Sequence, residues 1–251
     1  MTTPAEVFFY ILIRSWNAFA YFDRCIESVL LQSYKNFQIL FVDDASDYTI
    51  TQKKYISKKL SSHIVKFNEK RLFSLRNAYE MIYQYAENPQ AVVFNLDGDD
   101  WLYDKNVLAY LAETYQKTDC WLTYGDCVLW DGKSESETVS SWKPYINIPY
   151  PKSVTTQKSF RKYPFLPLHP RTCKVWLFKK IRKEDFLRPD GSWLQFAEDQ
   201  AIFYPMLEMS RDKYYVFNKS LYVYNTTSYN SDLKRNTLEL IKDELVIRKK
   251  L

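Results

Sequence analysis

Short runs of apolar residues recur in the first hundred residues of the chain, and each run has the length of one β-strand. The runs cover Val7–Ile13, Phe37–Val42 and Ala91–Leu96. Because nearly every residue in a run is apolar, rather than every second one, the runs are typical of parallel strands that are covered on both faces. His63–Phe67 predicts a further short strand. The pattern therefore indicates a buried parallel sheet.

Segments with helical spacing lie between these runs. Apolar residues repeat every three or four positions over Phe22–Leu30 and again over Leu72–Ile82. Asn17 stands before the first of these segments and is a candidate helix cap. An alternation of strand and helix is typical of an α/β fold with a doubly wound sheet.

The remainder of the chain predicts further elements and one long irregular stretch. Residues 131–170 are rich in Ser, Thr, Lys, Tyr and Pro, which is typical of a functional loop or lid. Leu233–Leu251 carries Leu238, Ile241 and Leu245 on one face and predicts an amphipathic helix that packs on the domain rather than on a membrane. The other predicted elements are a helix over 107–115, a strand over Trp121–Val128, helices over Thr172–Ile181 and Phe196–Met209, and a hairpin or strand pair formed by Tyr214–Phe217 and Leu221–Tyr224.

Polar residues follow each of the three long apolar runs. The first run ends at Arg14–Asn17, the second at Asp43–Ser46 and the third at Asp97–Asp100. In open α/β sheets, ligands bind outside the carboxyl ends of the strands. The three ends therefore predict one polar crevice.

The third of these ends is an acidic turn with the sequence Asp97-Gly98-Asp99-Asp100. Its carboxylates repel one another and gain nothing from burial, so we expect a cation among them. Carboxylate oxygens suit magnesium or manganese rather than zinc. Gly98 is one of only four glycines in the chain and indicates a tight turn or a close approach of the backbone to a ligand. The alternative is an acidic surface turn in which Asp104 caps the next helix.

Composition excludes several classes of protein. The net charge of +5 suits a polyanionic small molecule such as a nucleotide, and the lack of a block of Lys or Arg argues against a nucleic-acid-binding surface. The four cysteines form no CxxC pair and lie apart from the two histidines, so neither a zinc site nor a disulfide framework is expected. The N-terminal apolar run lacks a basic region before it, and no run is long enough to span a membrane. We therefore expect a soluble, cytoplasmic protein.

A nucleoside diphosphate in the crevice would find suitable partners at these strand ends. A cation held by Asp99 would bridge its phosphates, and Asp97 would accept a hydrogen bond from a ribose hydroxyl. Asp43 or Asp44 would accept the imide N–H of uracil. Arg14, or Arg171 from a later segment, would donate to phosphate oxygens.

A general base is also available. Glu198 and Asp199 begin a predicted helix, and because successive helical residues point about 100° apart, only one of them can face the crevice. The helix dipole would keep that carboxylate ionised, as a base requires. The alternative is that both residues are merely favourable charges at the start of a helix.

These motifs, in this order, resemble glycosyltransferase family 2. The resemblance covers most of residues 7–225: Phe8–Asp47 is similar to the opening of that family, the acidic turn to its DXD motif, and Glu198-Asp199 to its base-bearing ED motif. His169–Thr172, followed by Leu177–Ile181, resembles a segment that precedes the ED motif in some members.

The resemblance implies a GT-A fold, a nucleotide-sugar donor, a divalent metal (Mn²⁺ or Mg²⁺) and inversion at the anomeric carbon. It also implies roles for individual residues. These are Asp43 and Asp44 near the nucleotide base, Asp97 near the ribose, Asp99 on the metal, Asp199 as general base, His169 near the metal or the diphosphate, and Arg171 on phosphate. His169 has the alternative of capping the helix that follows it. Trp101 and Trp193 are candidate platforms for sugar stacking, or else core residues.

The chain also departs from the family pattern. Arg14-Ser15-Trp16-Asn17 stands where Pro-Thr-Tyr-Asn is usual, so the contacts that Arg14 and Asn17 would make with the donor are not implied by the family. The arginine-rich motif and the membrane helices of processive members are absent from the sequence, which favours transfer of a single sugar.

We therefore expect one GT-A domain over residues 1–251. Residues 1–103 form its nucleotide-binding half, residues 104–225 its acceptor-side half, and residues 233–251 a C-terminal helix. The expected activity is metal-dependent transfer from a nucleotide-sugar, most simply a UDP-sugar, to a glycan, lipid-linked or protein acceptor. One alternative is a sugar nucleotidyltransferase, but the glycine-rich phosphate loop of that class is missing from the sequence. The other is an inactive nucleotide-sugar-binding module, which would be expected to have lost the metal-binding or the base carboxylate, whereas both are present here.

Overall fold

The structure of the protein is a computed structural model that describes residues 6–132, 143–228 and 236–250. Its strands are β1 (Phe9–Ser15), β2 (Phe37–Asp43), β3 (Ile64–Phe67), β4 (Val92–Asp97), β5 (Trp101–Leu102), β6 (Leu122–Trp130), β7 (Lys143–Tyr145), β8 (Arg171–Lys174) and β9 (Tyr214–Asn225). Its helices are α1 (Phe19–Leu30), α2 (Ile50–Lys59), α3 (Phe73–Tyr85), α4 (Val107–Lys117), α5 (Lys152–Gln157), α6 (Val175–Lys179), α7 (Glu198–Ser210) and α8 (Thr237–Lys249), with 3₁₀ turns at Phe160–Lys162 and Lys183–Phe186.

The strands form one sheet in the order β3-β2-β1-β4-β8-β6-β9-β5, and β7 pairs with β6. The first four strands in this order are parallel, as the continuous apolar runs predict. Strand β8 lies antiparallel between β4 and β6, and β6 pairs in parallel with β9. The carboxyl ends of β1 and β4 therefore lie side by side at one edge of the sheet.

Hydrophobic cores cover both faces of the sheet, which explains why the strand residues are apolar without alternation. In β1, Tyr10 and Leu12 contact the core beneath α3 and α7, whereas Ile11 and Ile13 contact the core beneath α1 and α4. All seven residues of β1 are buried. The four cysteines are buried and free.

The prediction of an α/β fold with helices on both faces of the sheet is confirmed, and three local predictions are corrected. The predicted helix over Thr172–Ile181 begins only at Val175, because the residues before it form β8. The predicted hairpin from Tyr214 to Tyr224 is one strand, β9, which continues through an irregular register opposite β6. Asn17 does not cap α1, because its Oδ1 accepts the Asp47 N–H and its own φ is +49°.

The C-terminal helix packs on the domain, as expected, but through a different face from the apolar stripe. Asp243 and Ile247 are buried, whereas Leu238, Ile241 and Leu245 are exposed. Residues 233–235 and 251 of this prediction, and residues 133–142 of the predicted loop, lie outside the described residues. In the described ranges no helix has the length and apolar character needed to cross a membrane.

Candidate active site

A cavity of about 630 Å³ lies at the carboxyl ends of β1 and β4. The loop before β8, the start of α3, the first turn of α7 and the end of β9 contribute to its walls. The residues of the predicted site that line it are Arg14, Asp44, Asp97, Asp99, His169, Arg171 and Asp199. The acidic turn and the proposed base, which are about a hundred residues apart in sequence, therefore meet in one cavity.

Asn17 and Asp43 are not in the described lining of this cavity. The Asp43 carboxylate is fully buried and accepts the backbone N–H of Ser46 at 3.1 Å and the Ser46 hydroxyl. Burial raises the pKa of Asp43. Asp43 and Asn17 therefore shape the turn after β2, on which Asp44 lies.

The two candidate stacking residues are also outside the described lining. Trp101 is 5% exposed, and its ring lies 4.3 Å from the Arg24 guanidinium and 5.1 Å from the Trp130 ring. Trp193 packs against Tyr79, with ring centroids 5.2 Å apart. Both tryptophans are packed against protein neighbours, which is the alternative that the sequence left open.

Asp44 holds the start of α3 in place. Its Oδ1 accepts the Leu72 N–H at 2.7 Å and the Asn68 amide at 3.1 Å, and its Oδ2 accepts the Phe73 N–H at 2.9 Å. Phe73 has a φ of +62°, a conformation that side chains disfavour and that these bonds help to hold. Asp44 therefore presents to the cavity a carboxylate that is fixed in orientation.

Sequence reasoning did not identify the contact of Trp16 with Arg71. The Arg71 guanidinium lies 3.3 Å from the centroid of the Trp16 ring, and both residues line the cavity beside Asp44. An aromatic residue at the end of a strand in a candidate nucleotide site was the available signal. Its partner Arg71 comes from the loop before α3 and could not be paired with it from the sequence.

Arg14 joins the acidic turn to the first turn of α7. Its side chain is 4% exposed, and it donates to Asp97 Oδ1 at 2.8 Å and to Glu198 Oε1 at 2.7 Å. Burial acts to raise the pKa of Glu198, but the charges of Arg14 and Arg171 outweigh it, so that pKa is lowered and Glu198 stays ionised. Arg14 and Glu198 therefore form a buried ion pair.

Arg171 makes a second link of the same kind. Its Nη1 lies 2.8 Å from Asp199 Oδ2, and its Nη2 lies 2.7 Å from His169 Nε2. Burial, reinforced by the charge of Glu198, raises the pKa of Asp199 despite this ion pair. A carboxylate with a raised pKa is a stronger proton acceptor than an ordinary aspartate.

Asp97, Asp100 and His169 form a group that could hold a metal ion, with one ligand atom from each lying within 4.8 Å of the others. Burial and the charge of Arg171 lower the pKa of His169, so the imidazole is neutral. Its Nε2 lone pair accepts the Arg171 Nη2–H, so His169 would offer that lone pair to a cation once Arg171 has moved away. Nδ1 of His169 is buried and lacks a hydrogen-bond partner in the described part of the chain. Two carboxylates and an imidazole are a donor set that Mn²⁺ accepts, so these residues fit a divalent cation.

Asp100 and Asp99 of the acidic turn have different surroundings. Asp100 accepts the Tyr222 hydroxyl at 2.7 Å and the Asn225 N–H at 2.8 Å, which fixes its side chain. Asp99, the metal ligand expected from the family motif, lines the cavity but is not in the described three-residue group. Burial raises the pKa of Asp99, and a hydrogen bond from Ser228 offsets this in part.

Gly98 allows the acidic turn to lie against β1. A Cβ atom on Gly98 would lie 2.9 Å from Ser15 Cβ and 3.0 Å from the Arg14 carbonyl oxygen. The Gly98 N–H donates to that same oxygen at 2.9 Å. The close approach that the glycine indicates is therefore to the neighbouring strand.

Comparison with known proteins places the chain in a family. Residues 10–183 match the model of Glycosyl transferase family 2. No curated protein sequence matches the chain. Among solved structures, S. aureus TarS 1–349 in complex with UDP-GlcNAc is similar with a TM-score of 0.63 at 14% identity, over 94% of this chain and 64% of that one.

Two further solved structures are similar. S. aureus TarS 1–349 gives a TM-score of 0.61 at 17% identity, over 87% of this chain and 60% of that chain. The mannosyltransferase PcManGT from Pyrobaculum calidifontis, in complex with GDP-Man and Mn²⁺, gives 0.57 at 11% identity, over 92% and 60%. The chain thus spans between 60% and 64% of the length of these structures. With the family match covering more than half of its residues, the chain belongs to glycosyltransferase family 2 and has a GT-A fold.

Proposed function

We propose that this glycosyltransferase moves one sugar from a UDP-sugar to an acceptor hydroxyl, with inversion at the anomeric carbon and with a divalent cation in the site. The observation that carries the proposal is the meeting of Asp199 and the acidic turn in one cavity. The similar structures support the donor class, because one holds UDP-GlcNAc and another holds GDP-Man with Mn²⁺. The acceptor is a glycan, a lipid-linked sugar or a protein.

Asp97 and Asp100 with His169, and Asp99 beside them, would hold Mn²⁺ or Mg²⁺. When bound, the cation neutralises the negative charge that grows on the departing diphosphate. Asp97 also accepts a hydrogen bond from the ribose. Asp44, whose carboxylate is oriented by three donors, accepts the imide N–H of uracil at the far end of the cavity.

Asp199 acts as the general base. It takes the proton of the acceptor hydroxyl while the new bond from that oxygen to the anomeric carbon forms and the bond to the β-phosphate oxygen breaks. Its place in the first turn of α7 favours the ionised carboxylate. Glu198 cannot serve in this way while Arg14 occupies it.

Arg171 links the base to the donor. Its guanidinium pairs with Asp199 in this structure, and a forked guanidinium binds phosphate oxygens equally well. As the donor enters, Arg171 exchanges Asp199 for the diphosphate, and Asp199 is released to accept the proton. The base is thereby active only when the donor is in place.

The test measures release of nucleoside diphosphate from UDP-GlcNAc, UDP-glucose and GDP-mannose, with Mn²⁺ or with EDTA, first with water and then with acceptor sugars. Asp199→Asn should bind UDP as the parent does and lose roughly 100-fold or more in turnover. Asp190→Asn is the matched control, since Asp190 is an exposed carboxylate shortly before α7.

Three outcomes would contradict the proposal. If Asp199→Asn turned over nearly as fast as the parent, Asp199 would not be the base and Glu198 would be the next candidate. Donor binding without turnover by the parent protein would indicate a binding module. Release of pyrophosphate from UTP and a sugar phosphate would indicate a nucleotidyltransferase.

A further inference from the structure

The residue immediately before α7, next to the proposed base, has an unfavourable backbone conformation. Ala197 has a φ of +52°, a region that residues with a Cβ atom rarely adopt. It is followed directly by Glu198 and Asp199, and both Gln195 and Ala197 line the cavity. Such a conformation persists only where the surroundings hold it.

Asp243 of α8 stabilises this backbone conformation. Its Oδ2 accepts the backbone N–H groups of Gln195 at 2.9 Å and Phe196 at 3.0 Å, the two amides immediately before Ala197. Arg188 donates to the same carboxylate through Nε at 2.7 Å and Nη2 at 2.9 Å. Four donors thus converge on one side chain that is 1% exposed.

The helix that carries Asp243 is itself anchored away from the cavity. Ile247 is 1% exposed in the core, and its carbonyl oxygen accepts Arg161 Nη1 at 2.7 Å. Ile247 and Arg161 therefore hold α8 against the core. It also lies outside residues 10–183, which the family model matches.

We propose that Asp243 is a positioning residue, which sets the orientation of Asp199 through the amides of Gln195 and Phe196. This inference rests on the proposed function, in which Asp199 is the base. A carboxylate moved by about 1 Å from its productive position can cost on the order of 100-fold in rate. Loss of Asp243 should thus lower kcat and leave binding of the nucleotide almost unchanged.

The test compares Asp243→Ala and Asp243→Asn with Ile247→Ala, all at a temperature well below each melting temperature. Ile247→Ala is the matched control, because it removes buried contacts of the same helix and breaks none of the amide contacts. We expect kcat to fall by about 10- to 100-fold in Asp243→Ala and by less in Asp243→Asn, whose amide oxygen still accepts a backbone N–H. The Kd of UDP with Mn²⁺ should stay within about threefold of the parent value, because the base acts only in transfer.

A variant at a second position keeps the proposal testable if Asp243→Ala does not fold. Arg188→Ala leaves both amide contacts in place, so it should lower the melting temperature but keep most of kcat. Equal loss of kcat in Ile247→Ala and Asp243→Asn would overturn the proposal, and so would full kcat in Asp243→Ala. If Asp199→Asn itself retains turnover, the proposed function has failed, whereas loss in Asp199→Asn with full kcat in both Asp243 variants refutes only the positioning role.

Discussion

Replacing Arg14 with Met should destabilise the protein and disorganise the site at once. The guanidinium donates to Asp97 at 2.8 Å and to Glu198 at 2.7 Å, and its side chain is 4% exposed. Methionine occupies a similar volume but leaves both carboxylates without their cation. The variant therefore tests how much the bridge between β4 and α7 contributes to the free energy of unfolding.

The magnitude follows from the burial of the two partners. Breaking a buried ion pair by removal of one member costs roughly 3–5 kcal/mol. The side chain of Asp97 is 32% exposed and that of Glu198 is 20% exposed, so water solvates them in part once Arg14 is gone. We therefore expect the lower end of the range, about 3 kcal/mol, and a fall in melting temperature of roughly 6–12 °C.

The assay is thermal unfolding together with nucleotide release. Arg161→Met is the matched control, because Arg161 forms a comparable buried pair with Glu208 and neither residue is in the described lining of the cavity. It should lose similar stability yet retain turnover. Adding Glu198→Gln to Arg14→Met should restore part of the lost stability, because it removes an orphaned charge.

A melting temperature for Arg14→Met within about 2 °C of the parent would refute the reasoning, since it would show that solvent replaces the bridge at no cost. A gain in turnover would refute it too. That result would mean that Arg14 inhibits the site by occupying Asp97 and Glu198.

The remaining predictions concern the base, the cation and the glycine. The pKa of Asp199 is raised, and a base must be ionised to accept a proton. We therefore expect kcat to be highest at neutral pH and to fall as the pH drops, with a midpoint above the ordinary aspartate pKa of about 3.9. A pH–rate profile in which kcat does not fall above that value would contradict this prediction. UDP at 100 times its Kd should raise the free energy of unfolding by about 2.7 kcal/mol in the presence of Mn²⁺, which corresponds to a rise in melting temperature of roughly 5–11 °C. The rise should be small in EDTA, and Asp99→Ala should reduce it. Gly98→Ala should cost about 1–3 kcal/mol and lower turnover, because its Cβ atom would meet Ser15 and the Arg14 carbonyl oxygen. Gly191→Ala, whose Cβ atom meets nothing within 4 Å, should cost only the strain of its positive φ and keep activity.

The part of the fold that the sequence predicts is the part in which a local pattern and a general rule of topology agree. Val7–Ile13 is apolar throughout and Ala91–Leu96 is apolar except for Asn95, and parallel strands place their carboxyl ends at one edge. That is why Arg14 and Asp97, about eighty residues apart, could be expected in one crevice and are found hydrogen-bonded to each other.

The rest depends on contacts that no local pattern specifies. Strand β8 has only four residues, and the apolar spacing that follows it extends the helical pattern backwards over it. The polar residues Asn218–Ser220 interrupt the apolar pattern of β9 in the sequence, and at this point an irregular register lets the strand continue beside β6. In the sequence, Asp243 is one charge among many on an amphipathic helix, and only the fold shows its four donors.

The charges of the cavity make the cation and the donor depend on each other. In the described lining, carboxylates outnumber guanidiniums by six to three, and the neutral His169 adds no charge. The carboxylates are those of Asp44, Asp97, Asp99, Asp100, Glu198 and Asp199, and the guanidiniums are those of Arg14, Arg71 and Arg171. A diphosphate that entered without a cation would meet this excess of negative charge, whereas a divalent cation among the carboxylates would offset two of the three excess charges. Since coupling between two ligands is reciprocal, the donor must strengthen binding of the cation by the same factor. The same excess explains why both Arg14 and Arg171 are paired with carboxylates. Under the proposed function, a diphosphate offers Arg171 a new partner and thereby releases Asp199 to act as the base.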